Sequence, residues 1–423
     1  MTERKRWLAF YLLCAGEFMI VIDTTIVNVA LPSIQADLAF TESSLVWVVN
    51  AYMVTYGGFL LLGGRLGDLY GNRRWFLLGT ALFTAASLVC ALATTQWLLV
   101  VARAVQGLGG AAVSAIALSL IMNLFSEAAD RAKAMGIYGF VCAGGGSVGV
   151  LAGGLLTSAL SWHWVFLVNL PIGALVCAFC FTLLAPDAAP AQRRRLDVAG
   201  AITVTLSSML AVYAIVNSTW PLLVVAVVLF GAFLVIESRI RDPLMPLRLF
   251  RIRSVAVSNV IGVLWAAAMF AWFFISALYM QLVLGYTPMQ IGLAFLPANL
   301  IMAVFSIGLS AKLVMRFGLK LPIAGGMLLL GLGCGMALNP VMLAAMSDVD
   351  PSESGLASGV VNTSFMMGGA LGLAALASLA EARGYHAAFA AGAAFAAVAA
   401  VASFFLDSGT SETSAPAVAR KGA

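Results

Sequence analysis

Charge is what this chain has least of. Only 10% of its 423 residues are Asp, Glu, Lys or Arg, against roughly 25% in a soluble domain. With 62% hydrophobic residues it cannot cover a surface with polar groups in water. That excludes a soluble globular fold and makes lipid its solvent. Histidine is nearly absent, with two copies, His163 and His386, and both sit near the ends of apolar stretches, where structural roles are expected. No cluster of metal-ligating residues, nucleotide-binding loop or nucleophile constellation appears. No metal, no cofactor and no enzymatic activity are therefore expected. The six cysteines, Cys14, Cys90, Cys142, Cys177, Cys180 and Cys334, all lie in apolar stretches. Cys177 and Cys180 form a C-x-x-C, but redox or metal chemistry needs a polar, accessible thiolate. They read as small buried residues. No cleavable signal peptide is expected either, because the first apolar stretch, Trp7 to Leu31, is too long for a signal core.

What the chain has is apolar stretches of spanning length. A helix needs ~20 apolar residues to cross a bilayer, because every backbone polar group must be paired internally. The expected spans are 7–31, 44–63, 75–94, 97–122, 135–159, 164–185, 197–216, 220–236, 255–283, 288–311, 321–346, 355–380 and 386–406. Basic residues alternate across them. Nineteen of the 23 Lys and Arg lie in the N-terminus and in 64–74, 123–134, 186–197, 237–254 and 312–320; none lies near 32–43, 94–97, 159–163, 217–221 or 284–290. Cationic loops stay in the cytoplasm during insertion, so the N-terminus is expected inside a cytoplasmic (inner) membrane. The net charge of +5 sits in those loops facing anionic headgroups, and nucleic acid is not an expected partner.

Two basic linkers, 186–197 with Arg193–Arg195 and 237–254 with five Arg and two Pro, bracket the spans 197–216 and 220–236. The chain divides into a six-helix bundle (1–185), an inserted pair with its linkers (186–254), a shortened second bundle (255–406) and a tail (407–423) whose composition suggests disorder. Between Lys320 and Ser347 there is too little chain for two full crossings. One long helix is the expectation, giving thirteen spans and a C-terminus outside; two half-helices are the alternative.

Four stretches carry mechanism. The turn Gly64-Arg65-Leu66-Gly67-Asp68-Leu69-Tyr70-Gly71-Asn72-Arg73-Arg74 lies between spans 2 and 3. Its glycines permit close approach, and Asp68 can cap a helix N-terminus or pair with Arg73 or Arg74. It is either a conformation-dependent charge lock or a positive-inside turn balanced by one carboxylate. In span 4, Arg103 is costly in an apolar helix, ~2.5–3.5 kcal/mol on insertion scales, so it should face inward toward an acid. Span 1 offers Glu17 and Asp23, roughly 120° apart around the helix; Asp23 is the favoured partner. If rocking changed their separation, Asp23 would take up and release a proton with conformation. A static ion pair that orients helices is the alternative. In span 5, Gly145, Gly149 and Gly153 recur every four residues, as in small-xxx-small helix packing. Asn28, Trp47, Asn50, Tyr52 and Gln106 could line a cavity beside Asp23 for an amphipathic organic ligand, or could simply pack.

Together these residues resemble the major facilitator superfamily, and more closely its drug:proton antiporters with fourteen spans. The likeness rests on Asp23-Thr24-Thr25-Ile26-Val27-Asn28-Val29-Ala30-Leu31-Pro32, Gly64–Arg74, Arg103–Gly110 and Trp162–Gly173. It implies an all-α integral membrane protein with two pseudo-symmetric bundles and an added central helix pair. It implies proton-driven efflux of organic compounds by a monomer, with Asp23 and Arg103 in coupling and Gly64, Asp68, Gly71 and Arg73 at the cytoplasmic gate. Three departures stand out: Val150 replaces a usual Pro, 320–347 is short, and Glu17 is an added acid. A proton-linked importer, a metabolite exporter or an inert shortened relative are the alternatives.

Overall fold

The structure, a computed structural model, describes residues 2–125, 127–184, 186–187, 197–240, 243–304, 320–328 and 354–406, with isolated positions between 313 and 349. Fourteen α-helices are used below: α1 Glu3–Leu38, α2 Glu42–Tyr70, α3 Asn72–Ala91, α4 Gln96–Leu124, α5 Ala128–Ala159, α6 Trp164–Leu167, α7 Asn169–Leu183, α8 Val198–Val216, α9 Trp220–Arg239, α10 Arg253–Leu278, α11 Pro288–Val304, α12 Lys320–Leu328, α13 Ser354–Arg383 and α14 Tyr385–Ser403. Among the described residues eleven helical segments are long and apolar enough to cross a membrane, α6 and α7 counting as one, and Pro288–Ile301 is a shorter apolar helix. The protein is a multi-pass membrane protein. Large apolar side chains such as Leu78, Leu82, Val224, Val227 and Phe405 point outward, as a lipid solvent allows.

Local chemistry sets the helix ends. Thr41 and Ser44 cap α2 reciprocally: the Ser44 amide donates to Thr41 Oγ1 (3.1 Å) and the Thr41 amide to Ser44 Oγ (3.0 Å). At the other end of α2 the chain reverses into α3 at one residue, Gly71, whose φ of 107° favours glycine. Thr95 caps α4 and Asp197 caps α8.

Helix directions follow from residue-to-residue neighbours. Along α5 and α11, Gly154 meets Pro288 and Met289, and Gly146 meets Asn299, so the two run antiparallel. Along α10 and α13, Val263 meets Gly368 and Ala267 meets Gly372, so these run parallel. Along α2 and α13, Leu61 meets Gly359, Asn50 donates to the Ala370 carbonyl (3.0 Å) and Tyr385 donates to Glu42 (2.9 Å), so these are antiparallel. Val304 and Ser354 therefore both lie toward the end of the bundle that holds the N-terminus, and α14 returns there. The single crossing expected over 321–346, with its C-terminus on the far side, does not connect these ends. Span length alone cannot fix parity; packing partners do. The route of residues 329–340 lies outside the described residues, as do the linker at 188–196 and the tail at 407–423.

Close approach depends on a few glycines. A Cβ on Gly109 of α4 would sit 2.6 Å from the Phe83 amide nitrogen and 2.8 Å from the Gly79 carbonyl of α3. Those are backbone atoms, which cannot swing aside. Gly109→Ala is expected to cost about 1–3 kcal/mol as overpacking, read as a lower thermal midpoint of the detergent-solubilised protein. A midpoint equal to wild type would show that α3 and α4 separate freely.

Candidate functional site

Helix α1 carries two buried carboxylates, Glu17 and Asp23, on different faces, and their surroundings differ in kind. Asp23 is 0% exposed and Arg103 of α4 is 1% exposed. Arg103 Nη1 donates to Asp23 Oδ2 (2.5 Å) and to Gln106 Oε1 (2.6 Å), and its Nε donates to the Val48 carbonyl of α2 (2.9 Å). The other Asp23 oxygen accepts from Gln106 Nε2 (2.7 Å) and from Asn169 Nδ2 of α7 (2.9 Å). Ser87 of α3 accepts from both amides, at 2.8 and 3.3 Å. The guanidinium also lies 4.4 Å from the Tyr52 ring centre, a cation–π contact. Five helices thus converge on one ion pair with three donors on Asp23. The charge a lone buried Arg could not sustain is matched here by a carboxylate and hydrogen bonds.

Glu17, 6% exposed, faces elsewhere. Its carboxyl is surrounded by the hydroxyls of Ser114 (α4) and Tyr138 (α5), with Tyr56 of α2 and Cys142 of α5 nearby. Its Oε2 has no hydrogen-bond partner among the described residues. Among the described residues no cation forms an ion pair with it.

The expected cavity residues separate. Tyr52 and Gln106 belong to the Asp23 network. Asn50 is buried at the α2–α13 contact, with its Oδ1 unpartnered. Asn28 donates to the Thr24 carbonyl of its own helix (3.0 Å), and Trp47 packs half-buried against the core. Gly145, Gly149 and Gly153 face α1: added Cβ atoms would lie 2.9 Å from Val21 Cγ1, 3.0 Å from the Ile22 carbonyl and 2.7 Å from the Ile26 carbonyl, in that order.

Residues 64–70, expected as part of a turn, are instead the last turns of α2, and the chain reverses at Gly71 alone; an added Cβ on Gly64 would lie 3.6 Å from Ala115, and the side chain of Asp68 lies outside the described residues. The acid at the start of α3 is Asp187, which accepts from the Arg73 amide (2.8 Å) and the Arg74 amide (3.2 Å), with Arg74 Nε 3.9 Å away. Arg73 lies over the Phe181 ring at 4.9 Å. The sequence reading missed Asp187, Ser87 and Asn169. The signal for Asp187 was a carboxylate beside Pro186 that could satisfy a helix N-terminus. Asn169 stood inside the quoted 162–173 stretch without a partner in view. Ser87 offered no signal.

The profile of the Major Facilitator Superfamily matches residues 13–338. The chain belongs to the major facilitator superfamily. Curated relatives agree in extent. The chain is 38% identical over 411 residues to the puromycin resistance protein Pur8 of Streptomyces alboniger, covering 88% of this chain and 82% of that protein. It is 38% identical over 407 residues to the cephamycin export protein CmcT of Amycolatopsis lactamdurans, covering 87% and 84%. It is 35% identical over 397 residues to the multidrug resistance protein Stp of Mycobacterium tuberculosis, covering 85% and 73%. Within this superfamily member, the Asp23–Arg103 network joins α1, α2 and α4 to α3 and α7, whereas Glu17 lies among α2, α4 and α5.

Proposed function

We propose that this superfamily member is a secondary active exporter of small amphipathic organic compounds, driven by proton entry across the cytoplasmic membrane, with its N-terminus in the cytoplasm and the monomer as the working unit. The names of the relatives, one an exporter and two resistance proteins, support the direction and the cargo class. The Lys/Arg asymmetry supports the orientation. The observation that carries the coupling is the buried Glu17 carboxyl, which among the described residues has one unpartnered oxygen and no ion-paired cation. A group that binds and releases a proton must have spare hydrogen-bonding capacity in one conformation, and Glu17 has it. Asp23 differs in that both its oxygens accept hydrogen bonds and one is ion-paired with Arg103. In this reading Glu17 exchanges the proton, Asp23 and Arg103 hold α1 against α4, and the Gly64–Arg74 turn with Asp187 closes the cytoplasmic side.

The test is flux in proteoliposomes holding the full chain, with a pH-sensitive dye inside and a fluorescent amphipathic cation as cargo. Cargo moving against a pH gradient, with protons moving the opposite way when cargo is added, is the expected result. Cargo flux with no proton movement would sink the coupling, and no flux of the cation would sink the export reading.

A further inference from the structure

A second pair of acids lies far from α1 in sequence, where α8 and α9 meet the end of α2. Asp197 is 2% exposed and Glu237 is 3% exposed. One oxygen of each has ordinary work: Asp197 Oδ1 accepts from the Gly200 amide (2.7 Å), capping α8, and Glu237 Oε2 accepts from the Met245 amide (3.1 Å). The other oxygens, Asp197 Oδ2 and Glu237 Oε1, have no donor among the described residues. They converge over Gly200, where an added Cβ would lie 2.8 Å from the Glu237 oxygen and clash with the Asp197 one, so both free oxygens face one point. Two bare carboxylates converging in a buried site repel strongly.

We infer that Asp197 and Glu237 form a proton-binding site, in which the O–H of one carboxyl donates to the free oxygen of the other, and that this acid pair latches the start of α8 to the end of α9 beside Arg65 of α2. The link to the gate is Arg65, whose Nη2 donates to the Pro243 carbonyl (2.5 Å) and whose Nη1 is unpartnered beside the pair. With one proton bound, the pair carries one negative charge, and Arg65 balances it. Among the described residues Arg65 is the cation facing the pair from α2. Leu62 and Leu66 of α2, and Leu244 and Met245 of the following linker, are apolar, and Arg239 is exposed to solvent. A metal ion fits poorly. Hard cations want six or more oxygens, only two are free among the described residues, and a guanidinium acts on them.

The sign follows from linkage. The latched state holds a proton that the open state releases, so low pH favours the latch. Opening then increases by up to about tenfold per pH unit between the pKa of the open pair and that of the latched pair, and levels off above the latter. When the proton leaves, the two adjacent negative charges repel each other and push the start of α8 away from the end of α9.

Hydrogen–deuterium exchange of the full chain in lipid nanodiscs, without cargo or gradient, tests this directly. The Gly200 and Met245 amides donate to the pair, so peptides over 197–201 and 243–246 report its opening. After correction for intrinsic exchange, wild type should lose protection as pH rises. Glu237→Gln, whose amide supplies the hydrogen bond with no proton to lose, should stay protected at every pH. Asp197→Asn keeps a good cap and should behave alike, which guards against a single variant that folds badly. Equal pH slopes in wild type and both variants would overturn the inference. So would protection of wild type that appears only on adding Na⁺, Mg²⁺ or Ca²⁺, since that would mark a metal site. No coupled transport is measured, so this result stands or falls apart from the role given to Glu17.

Discussion

Arg103→Ala is expected to be the most damaging single substitution in the first four helices, costing about 3–5 kcal/mol, the usual toll for removing one partner of a buried ion pair. The loss would not come from the guanidinium's own contacts alone. Asp23 would be left charged, 0% exposed and facing an empty volume, with two amides to hold it. Gln106 Oε1 and the Val48 carbonyl would each lose a donor. Asp23→Asn should cost less, because an amide can still accept from Gln106 and Asn169. The double variant Asp23→Asn/Arg103→Gln should recover part of what Arg103→Ala loses, since no bare charge remains. Thermal midpoints of wild type, Asp23→Asn, Arg103→Gln and Asp23→Asn/Arg103→Gln in one detergent form a double-mutant cycle. A coupling energy near zero, with Arg103→Ala as stable as wild type, would show that the pair contributes nothing to the bundle.

This expectation also separates positioning from proton exchange. If Asp23 only holds α1 against α4, Asp23→Asn should lower the amount of active protein and leave the number of protons moved per cargo unchanged. A changed ratio, with the fold intact, would return the exchange role to Asp23.

Much of this site was readable from residue types, and the limits have physical causes. An Arg in an apolar helix must find an acid, and that demand alone pointed from Arg103 to Asp23, which lies at 2.5 Å. The glycines of α5 were readable because a four-residue period selects one helix face, and that face lies on α1. What could not be read was which face of α1 looks toward the interior of its own helix cluster and which toward α2, α4 and α5. Periodicity gives the angle between Glu17 and Asp23, not the direction of either. Asp187 was missed because helix N-termini accept any carboxylate that tertiary structure brings, and Asp68 was nearer in sequence. The acid pair Asp197–Glu237 was hidden by distance: forty residues and two helices separate the partners. The parity of the 305–353 region was misjudged because length bounds the number of crossings but says nothing about which helix packs on which.

Glu17→Gln is the substitution on which the proton assignment turns. Glutamine is nearly the same shape, can still contact the Ser114 and Tyr138 hydroxyls, and brings no charge into a buried site. The fold should therefore be at least as stable as wild type, since what is removed is a carboxyl with an unpartnered oxygen. Transport should change in one respect. A membrane potential of 100 mV supplies ~2.3 kcal/mol per charge, which sustains a roughly fiftyfold gradient of a neutral cargo for one proton per cycle, at 1.4 kcal/mol per decade. With glutamine at position 17 that ratio should collapse toward one, while downhill exchange of cargo continues and loses its dependence on pH. Glu17→Asp, a shorter acid, should retain part of the gradient. A merely structural Glu17 predicts the opposite pattern: glutamine would leave the steady-state gradient and the pH profile intact. Such a result in vesicles would remove the proton role from this residue, because a side chain that cannot titrate cannot couple.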